Sequence, residues 1–152
     1  MSDENRIYMA GPLFTSAERQ WNAAVAAALR NLGRKVHLPQ EAESEVGLSS
    51  GSPGLARRIF ECDVHALDAC DVVVACMDGA DPDSGTCWEC GYAYAKGKRV
   101  ITYRTDMRAL RDPTGAEFNL MITESSEVLA LGPEPWAVSP TDLAARIHKA
   151  LG

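Results

Sequence analysis

Short apolar runs alternate with longer amphipathic segments along most of the chain. The apolar runs are rich in β-branched residues and are bounded by turn-forming or charged residues, a pattern that predicts strands. They span residues 6–10, 35–38, 72–76, 98–103 and 127–130. The run at 72–76 reads Val-Val-Val-Ala-Cys and contains no polar residue, which is typical of a buried parallel strand.

The amphipathic segments predict helices over residues 16–31, 55–70, 86–96 and 140–151. Thr15 and Glu18 have the spacing of a capping box at the start of the first helix, and Ser139-Pro140 is a typical start for the last. The second helix carries four apolar residues that we expect to be buried, namely Ile59, Phe60, Val64 and Leu67. Residues 41–54 are rich in Glu, Ser and Gly, and we expect a mobile surface loop or a lid there.

The alternation of strands and helices indicates an α/β fold, with a mainly parallel sheet of five strands and helices on both faces. The chain has 152 residues, which suits one core, so we expect a single domain over residues 1–152. In open sheets of this kind, ligands bind beyond the carboxyl ends of the strands. The acidic segment that follows the strand at 72–76 is therefore the first candidate for a functional site.

The composition narrows the function classes. The chain has 15 Lys and Arg against 21 Asp and Glu, and a formal net charge of −6. That balance argues against binding to nucleic acid or to an anionic membrane. The first residues are polar and no apolar run is long enough to span a bilayer, so we expect a cytoplasmic protein. The 5 cysteines lack scaffold-like spacing and fit reduced thiols.

Several chemistries lack their sequence signature. No G-x-G-x-x-G follows the first strand, so a dinucleotide fingerprint is missing. The histidines, His37, His65 and His148, are scattered, and none forms a zinc motif. Cys87 and Cys90 form a C-x-x-C at a predicted helix N-terminus, where a thiol pKa can be lowered. A thiol redox protein is therefore an alternative, and the simpler interpretation is two small side chains that suit helix packing.

Three carboxylates accompany the central strand, loop and helix: Asp71, Asp83 and Glu89. A carboxylate in the first turn of a helix is kept ionised by the helix dipole, which suits Glu89 as a nucleophile. Asp83 lies in the loop and is a candidate for a desolvated, protonated general acid. Two carboxyl groups with divergent pKa values are what cleavage of a glycosidic bond requires. The structural alternative for Glu89 is a capping box with Thr86.

Asp71 and Tyr8 carry less information on their own. Asp71 heads a strand whose other residues are apolar, a position where a polar residue often only starts the strand. Tyr8 alternates with Ile7 and Met9 on the first strand, so core packing explains it. If the first and third strands are neighbours, the Tyr8 hydroxyl can hold Glu89 by a hydrogen bond.

An ordered set of short motifs resembles the nucleoside 2-deoxyribosyltransferase family. The set comprises Ile7-Tyr-Met-Ala-Gly-Pro12, Cys70-Asp71, Asp83-Ser-Gly-Thr-x-x-Glu89-x-Gly-Tyr-Ala93, Gly97-Lys-x-Val100 and Asn119-Leu-Met121. The resemblance runs in order from about residue 6 to residue 122. It implies a flavodoxin-like fold and a homo-oligomer whose sites are completed by a neighbouring subunit.

The resemblance also implies a reaction, the exchange of a nucleobase on 2′-deoxyribose in two steps with retention of configuration. By motif match, Glu89 is the nucleophile that forms a glycosyl-enzyme, Tyr8 orients it, and Asp83 moves the proton to and from the base. The partners are then small molecules, a nucleoside and a free nucleobase, with no nucleic acid and no membrane. We expect no metal and no other cofactor.

The substrate-binding positions that the resemblance implies are Asp71, Asn119, Gln40, Gly11 and Met121. Asp71 is expected to contact the sugar or the base, and Asn119 to reach into the site of the adjacent subunit. Glu41 or Glu43 is an alternative to Gln40 as the contact to the base. A helix N-cap is the local alternative for Asn119.

Two further interpretations stay open. A nucleoside 5′-monophosphate N-glycosidase of the same fold would pass the sugar to water. It would need phosphate ligands such as Thr15, Ser16 and Arg19 at a helix N-terminus. Helix capping by Thr15 and Glu18 explains these residues without a ligand. A non-catalytic nucleotide-binding domain is the other interpretation, since a fold alone does not determine function.

Overall fold

A computed structural model describes residues 5–45, 53–108 and 112–152. Within these ranges the chain forms one sheet of five parallel strands. The strands are β1 (Arg6–Ala10), β2 (Lys35–His37), β3 (Val72–Cys76), β4 (Arg99–Tyr103) and β5 (Glu127–Val128). Their spatial order is β2-β1-β3-β4-β5, which is the strand order of flavodoxin-like folds. The fold class predicted from the sequence is confirmed.

The α-helices of the described ranges are α1 (Ser16–Asn31), α2 (Pro39–Glu45), α3 (Leu55–Ala69), α4 (Ser84–Ala95), α5 (Leu120–Thr123) and α6 (Pro140–Leu151). The predicted capping box of α1 is confirmed, because Thr15 Oγ1 accepts from the Glu18 N–H at 3.2 Å and Glu18 Oε2 accepts from the Thr15 N–H at 2.8 Å. None of these helices is long and apolar enough to cross a membrane.

Alternation along the strands divides the core between the two faces of the sheet. Ile7 and Met9 of β1 face the cluster that α1 and α6 complete. Tyr8 and Ala10 point to the opposite face and pack with residues of α3 and α4. Every residue of β3 is buried, since both of its faces are covered. This arrangement places the polar hydroxyl of Tyr8 on the α3–α4 side of the sheet.

The prediction of a loop over residues 41–54 is wrong for its first part. Residues Pro39–Glu45 form α2, with proline at the first helical position, where its missing N–H costs nothing. Glu41 anchors this helix to α1 by accepting two hydrogen bonds from the Arg30 guanidinium, at 2.9 and 2.7 Å. Residues 46–52 of the predicted loop lie outside the described ranges, and residues 53 and 54 form a turn.

The predicted apolar face of α3 is only partly buried. Leu67 is fully buried, whereas Phe60 is 44% exposed and Ile59 and Val64 are half-buried. The sheet covers the C-terminal part of this face, and an open groove lies between the N-terminal part of α3 and α4. The expectation that Phe60 belongs to the core is therefore wrong.

Candidate active site

A tyrosine and a glutamate meet on the α3–α4 side of the sheet. Tyr8 is fully buried on β1, which lies directly beside β3. Its hydroxyl donates a hydrogen bond of 2.7 Å to Oε1 of Glu89 on α4. The contact predicted on the condition that the first and third strands are neighbours is therefore present.

The environment of Glu89 differs from the one that its sequence position suggested. The helix begins at Ser84 rather than at Thr86, which places Glu89 in the second turn instead of the first. Burial raises the pKa of the Glu89 carboxyl to about 7, and the charges of Asp63 and Asp83 raise it as well. The hydrogen bond from Tyr8 acts in the opposite direction and lowers this pKa. The expectation of a carboxylate kept ionised by the helix dipole is wrong.

Asp83 caps the helix that carries Glu89. Its Oδ2 accepts hydrogen bonds from the Thr86 N–H at 2.9 Å and from Thr86 Oγ1 at 3.1 Å. A side chain that accepts from the third helical N–H is the usual N-cap arrangement. The capping box considered for Thr86 and Glu89 is therefore wrong, and the Glu89 carboxylate is turned to Tyr8 instead of to the helix end.

A cavity of about 540 Å³ lies between α3 and α4 and contains Glu89. Its walls are mainly apolar, and a second carboxylate, Asp63 of α3, lines it too. The negative charge of Asp63 contributes to the raised pKa of both Glu89 and Tyr8. A pocket of this size with apolar walls and few polar groups suits a small organic ligand.

Sequence reasoning missed Asp63, although a signal was present. Ile59, Asp63 and Leu67 follow one another at intervals of four residues, so that they share one stripe of α3. The two apolar members pack toward the cavity and the core, and the carboxylate interrupts them. A charged residue within an otherwise apolar stripe is the signal that the sequence offered.

Asp71 does not lie beyond the carboxyl end of its strand. It precedes β3 at the amino end, where Oδ2 accepts from the Arg6 N–H at 2.7 Å and its own N–H donates to the Arg6 carbonyl at 2.9 Å. Asp71 is exposed and extends the pairing of β1 with β3. The expectation that it joins Glu89 at the substrate is therefore corrected, and Asp63 is the carboxylate that shares the cavity.

A second cavity, of about 580 Å³, opens at the carboxyl ends of the strands. Its lining includes the carboxylates Glu18, Asp78, Asp81, Asp83 and Asp106. The loops after β3 and β4 are tied together beside it, because Asp78 accepts from the Thr105 N–H at 2.6 Å and Arg104 donates to the Gly79 carbonyl at 2.9 Å. Asp83 lines this acidic cavity and also caps the helix that carries Glu89.

The N-terminus of α1 offers little to a phosphate. Glu18 Oε2 already accepts hydrogen bonds from the N–H groups of Phe14 and Thr15, at 2.9 and 2.8 Å. The Arg19 guanidinium donates to the Leu13 carbonyl at 3.3 Å. A carboxylate on these donors would repel a bound phosphate. The phosphate site considered for a 5′-monophosphate is thus disfavoured at this helix.

Gln40 and Gly11 have structural roles in the described chain. The Gln40 amide donates to the Arg19 carbonyl at 2.9 Å and accepts from Asn22 Nδ2 at 3.3 Å, which packs α2 against α1. A contact of Gln40 to a base stays a prediction. A Cβ at Gly11 would lie 3.1 Å from Cys76 Cβ, so the close approach of the loop after β1 to β3 explains the glycine.

Asn119 and Met121 lie on the surface at the start of α5. Asn119 Oδ1 accepts from the Met121 N–H at 3.0 Å, which is the N-cap arrangement that the sequence offered as an alternative. The Met121 side chain is 72% exposed. Neither residue lines the Glu89 cavity of its own chain. Their contact to a neighbouring subunit stays a prediction.

The cysteine pair shows no thiolate-stabilising environment. Burial, followed by the charges of Asp81 and Asp83, raises the pKa of the Cys87 thiol. Burial also raises the pKa of Cys90 to about 12. A redox role requires a lowered thiol pKa, and the expectation of such a pKa is wrong for this pair. Among the described residues, no group of three or more His, Cys, Asp and Glu side chains is arranged to hold a metal ion.

Comparison with known proteins identifies the family. The sequence model of the nucleoside 2-deoxyribosyltransferase family matches residues 7–127. An uncharacterised protein of Ureaplasma parvum serovar 3 is 32% identical over 108 residues, which are 66% of this chain and 66% of that protein. The family match covers the strands and helices that build the Glu89 cavity.

Similarity to solved structures agrees with the family match. A 2-deoxyribosyltransferase from Bacillus psychrosaccharolyticus is 31% identical, with a TM-score of 0.65 and coverage of 80% of this chain and 82% of that chain. A conserved protein from Enterococcus faecalis V583 is 27% identical, with a TM-score of 0.70 and coverage of 96% and 98%. A Clostridium botulinum CMP N-glycosidase shares the fold at 18% identity, with a TM-score of 0.58 and coverage of 95% and 98%. The chain therefore belongs to the nucleoside 2-deoxyribosyltransferase family.

Proposed function

We propose that this protein transfers 2-deoxyribose between nucleobases through a glycosyl-enzyme on Glu89. The hydrogen bond from the buried Tyr8 to Glu89, inside an apolar cavity, is the observation that carries the proposal. A carboxylate held at one oxygen has its other oxygen available for attack. Family membership and the 31% identical deoxyribosyltransferase supply the substrate class, a nucleoside and a nucleobase.

In the first step an oxygen of ionised Glu89 forms a bond to C1′ of the deoxyribose. The bond between C1′ and the base nitrogen breaks, and its electron pair leaves with the base, which takes up a proton. In the second step the nitrogen of the incoming base attacks C1′, displaces Glu89 and loses its proton. Two inversions at C1′ give net retention. The Tyr8 hydroxyl holds Glu89 in position throughout.

Proton transfer to the departing base needs an acid inside the cavity. Asp63 lines the cavity together with Glu89, whereas Asp83 lines the adjacent acidic pocket. This geometry favours Asp63 over Asp83 as the proton donor and acceptor. We assign Asp83 to holding the start of α4, and with it the position of Glu89.

A neutral nucleoside fits the surroundings better than a 5′-monophosphate. Glu18 occupies the helix N-terminus that would have bound a phosphate, and further carboxylates line the neighbouring cavity. Repulsion between these carboxylates and a phosphate disfavours a nucleotide. A 5′-monophosphate N-glycosidase, suggested by the fold shared with the CMP N-glycosidase, is therefore the less favoured activity.

The proposal is tested by chromatography of purified protein with deoxyinosine, with and without free adenine. We expect deoxyadenosine only when adenine is present, and a loss of at least about 1,000-fold in rate for E89Q. E61Q is the matched control, because Glu61 is an exposed carboxylate of α3 that pairs with Arg57 at 2.6 Å. Hypoxanthine release without exchange would instead indicate a hydrolase. Full activity of E89Q would overturn the assignment of Glu89 as the nucleophile.

A further inference from the structure

We propose that His37 is a positioning residue that fixes the plane of the Tyr8 phenol and thereby the hydrogen bond to Glu89. This inference rests on the proposed function of Glu89. The His37 and Tyr8 rings are stacked, with centroids 5.3 Å apart and planes inclined by 18°. His37 of β2 and Tyr8 of β1 are partners in the strand register, so that their side chains leave the sheet on the same face.

Tyr8 has a different neighbour on each side. On β3 its register partner is Val73, which is fully buried, and on β2 its partner is His37. An aliphatic side chain limits how far the phenol can move sideways but leaves its rotation about the ring axis open. A flat ring stacked on the phenol restricts that rotation, because a rotated phenol would collide with it. His37 is therefore the neighbour that determines the ring plane.

His37 also separates Tyr8 from space at the edge of the sheet. β2 is the outermost strand on this side, and a cavity of about 210 Å³ lies against it. His37, Leu38 and Glu41 are among the residues that line this cavity. Loss of the imidazole would enlarge the space beside Tyr8, and the phenol could then tilt away from Glu89.

The geometry of a catalytic group is sensitive to such a tilt. The Tyr8 hydroxyl lies at the far end of its ring and reaches Glu89 Oε1 at 2.7 Å. A misplacement of about 1 Å in an active site can cost about 100-fold in rate. Because His37 does not line the cavity of Glu89, its loss should lower kcat and leave KM within about two-fold.

The test compares H37F, H37L and H37A by the base-exchange assay, with H65A as a control at an exposed histidine of α3. We expect H37F to retain most of the wild-type kcat, because phenylalanine stacks on Tyr8. H37L fills the volume without a flat ring and should lose about 10-fold, and H37A at least as much. If H37A fails to fold, the contrast between H37F and H37L still decides the question.

A double-mutant cycle with Y8F tests whether His37 acts through the hydroxyl of Tyr8. We expect H37L to have no further effect on kcat once that hydroxyl is absent. The inference would be overturned if the effects of H37L and Y8F on kcat multiplied independently. It would also be overturned if H37L changed only KM, or if H37L had a wild-type kcat. An inactive wild-type protein would instead count against the proposed function, so the two failures are distinguishable.

Discussion

Glu89 combines two requirements that oppose each other. In the proposed reaction it must lose its proton to attack C1′, although it lies in a largely apolar cavity. Burial raises its pKa to about 7, and the Tyr8 hydrogen bond lowers it. The carboxyl is thus half ionised near neutral pH. Its ionised form is less stable in the cavity than it would be in water.

The rate of base exchange should therefore depend on pH. We expect kcat/KM of the wild-type protein to rise as the pH increases through about 7, as Glu89 ionises. In Y8F the carboxylate loses a stabilising hydrogen bond, so the rise should move to higher pH and kcat should fall by about 10- to 100-fold. Profiles of rate against pH for both proteins check this, and an unchanged midpoint in Y8F would contradict it.

The same pKa predicts a gain in stability for E89Q. Because the pKa of Glu89 is higher in the folded state than its ordinary value of 4.5, the folded protein binds more protons between pH 4.5 and about 7. Stability is therefore lost as the pH rises through this window. At pH 8 the free energy of unfolding of E89Q should be about 1–3 kcal/mol higher than that of the wild type, and at pH 4 we expect no gain.

Urea unfolding at both pH values measures this difference, with E61Q as the control for an exposed carboxylate. An equal gain at pH 4 and pH 8 would show that the effect is not due to ionisation of Glu89. A loss of stability at pH 8 would show that the charged carboxylate is better accommodated than its burial indicates.

At the scale of elements, strand alternation and helix caps were predictable because they depend on local pattern. The buried run of β3, the capping box at Thr15 and the start of α6 at Ser139 are all in place. The start of α4 was misplaced by two residues, since Asp83 and Thr86 both offer cap oxygens and the sequence does not say which one the backbone uses.

The site itself was only partly predictable. Glu89, Asp83 and Tyr8 lie in recognisable motifs around β1 and α4, but Asp63 comes from the facing helix α3. Its proximity to Glu89 depends on how two helices pack on the sheet, which local pattern does not contain. Asp71 was expected in the site because of the family resemblance, and the structure places it at the amino end of β3 instead.

Two substitutions at Asp83 separate its role as a cap from a role in chemistry. D83S keeps a capping oxygen and should retain stability, whereas D83A should lose about 1 kcal/mol. If Asp63 moves the proton, D63N should lower kcat by about 100-fold or more, and D83S by clearly less. Thermal unfolding and initial rates measure both effects. A larger loss of kcat in D83S than in D63N would indicate that Asp83, and not Asp63, transfers the proton.

At the scale of the whole molecule, apolar side chains remain exposed around the Glu89 cavity. Phe60 and Trp88, at 44% and 48% exposure, form an edge-to-face pair in the lining of this cavity. Leu120 and Met121 are exposed on α5, outside that lining. Exposed apolar groups of this size often mark a contact surface. They support the predicted homo-oligomer with shared sites, which stays a prediction, as does a cytoplasmic location.

Shared sites predict complementation between two inactive variants. In E89Q the nucleophile is missing, and in N119A the residue expected to reach the neighbouring site is missing. A heteromer purified through two different affinity tags would contain sites with both Glu89 and Asn119 intact. We expect each variant alone to be weakly active and the heteromer to recover about a quarter to a half of the wild-type rate, depending on how subunits pair. No recovery would contradict shared sites.

The glycosyl-enzyme is the central claim, and mass spectrometry of peptides from the digested protein tests it most directly. Wild-type protein is incubated with deoxyinosine without acceptor base, quenched with acid and digested. We expect a mass increase of one deoxyribosyl group on the peptide that contains Glu89, absent in E89Q. Added adenine should remove this group and release deoxyadenosine. Base exchange that proceeds without any adduct, or an adduct on a different residue, would contradict the account.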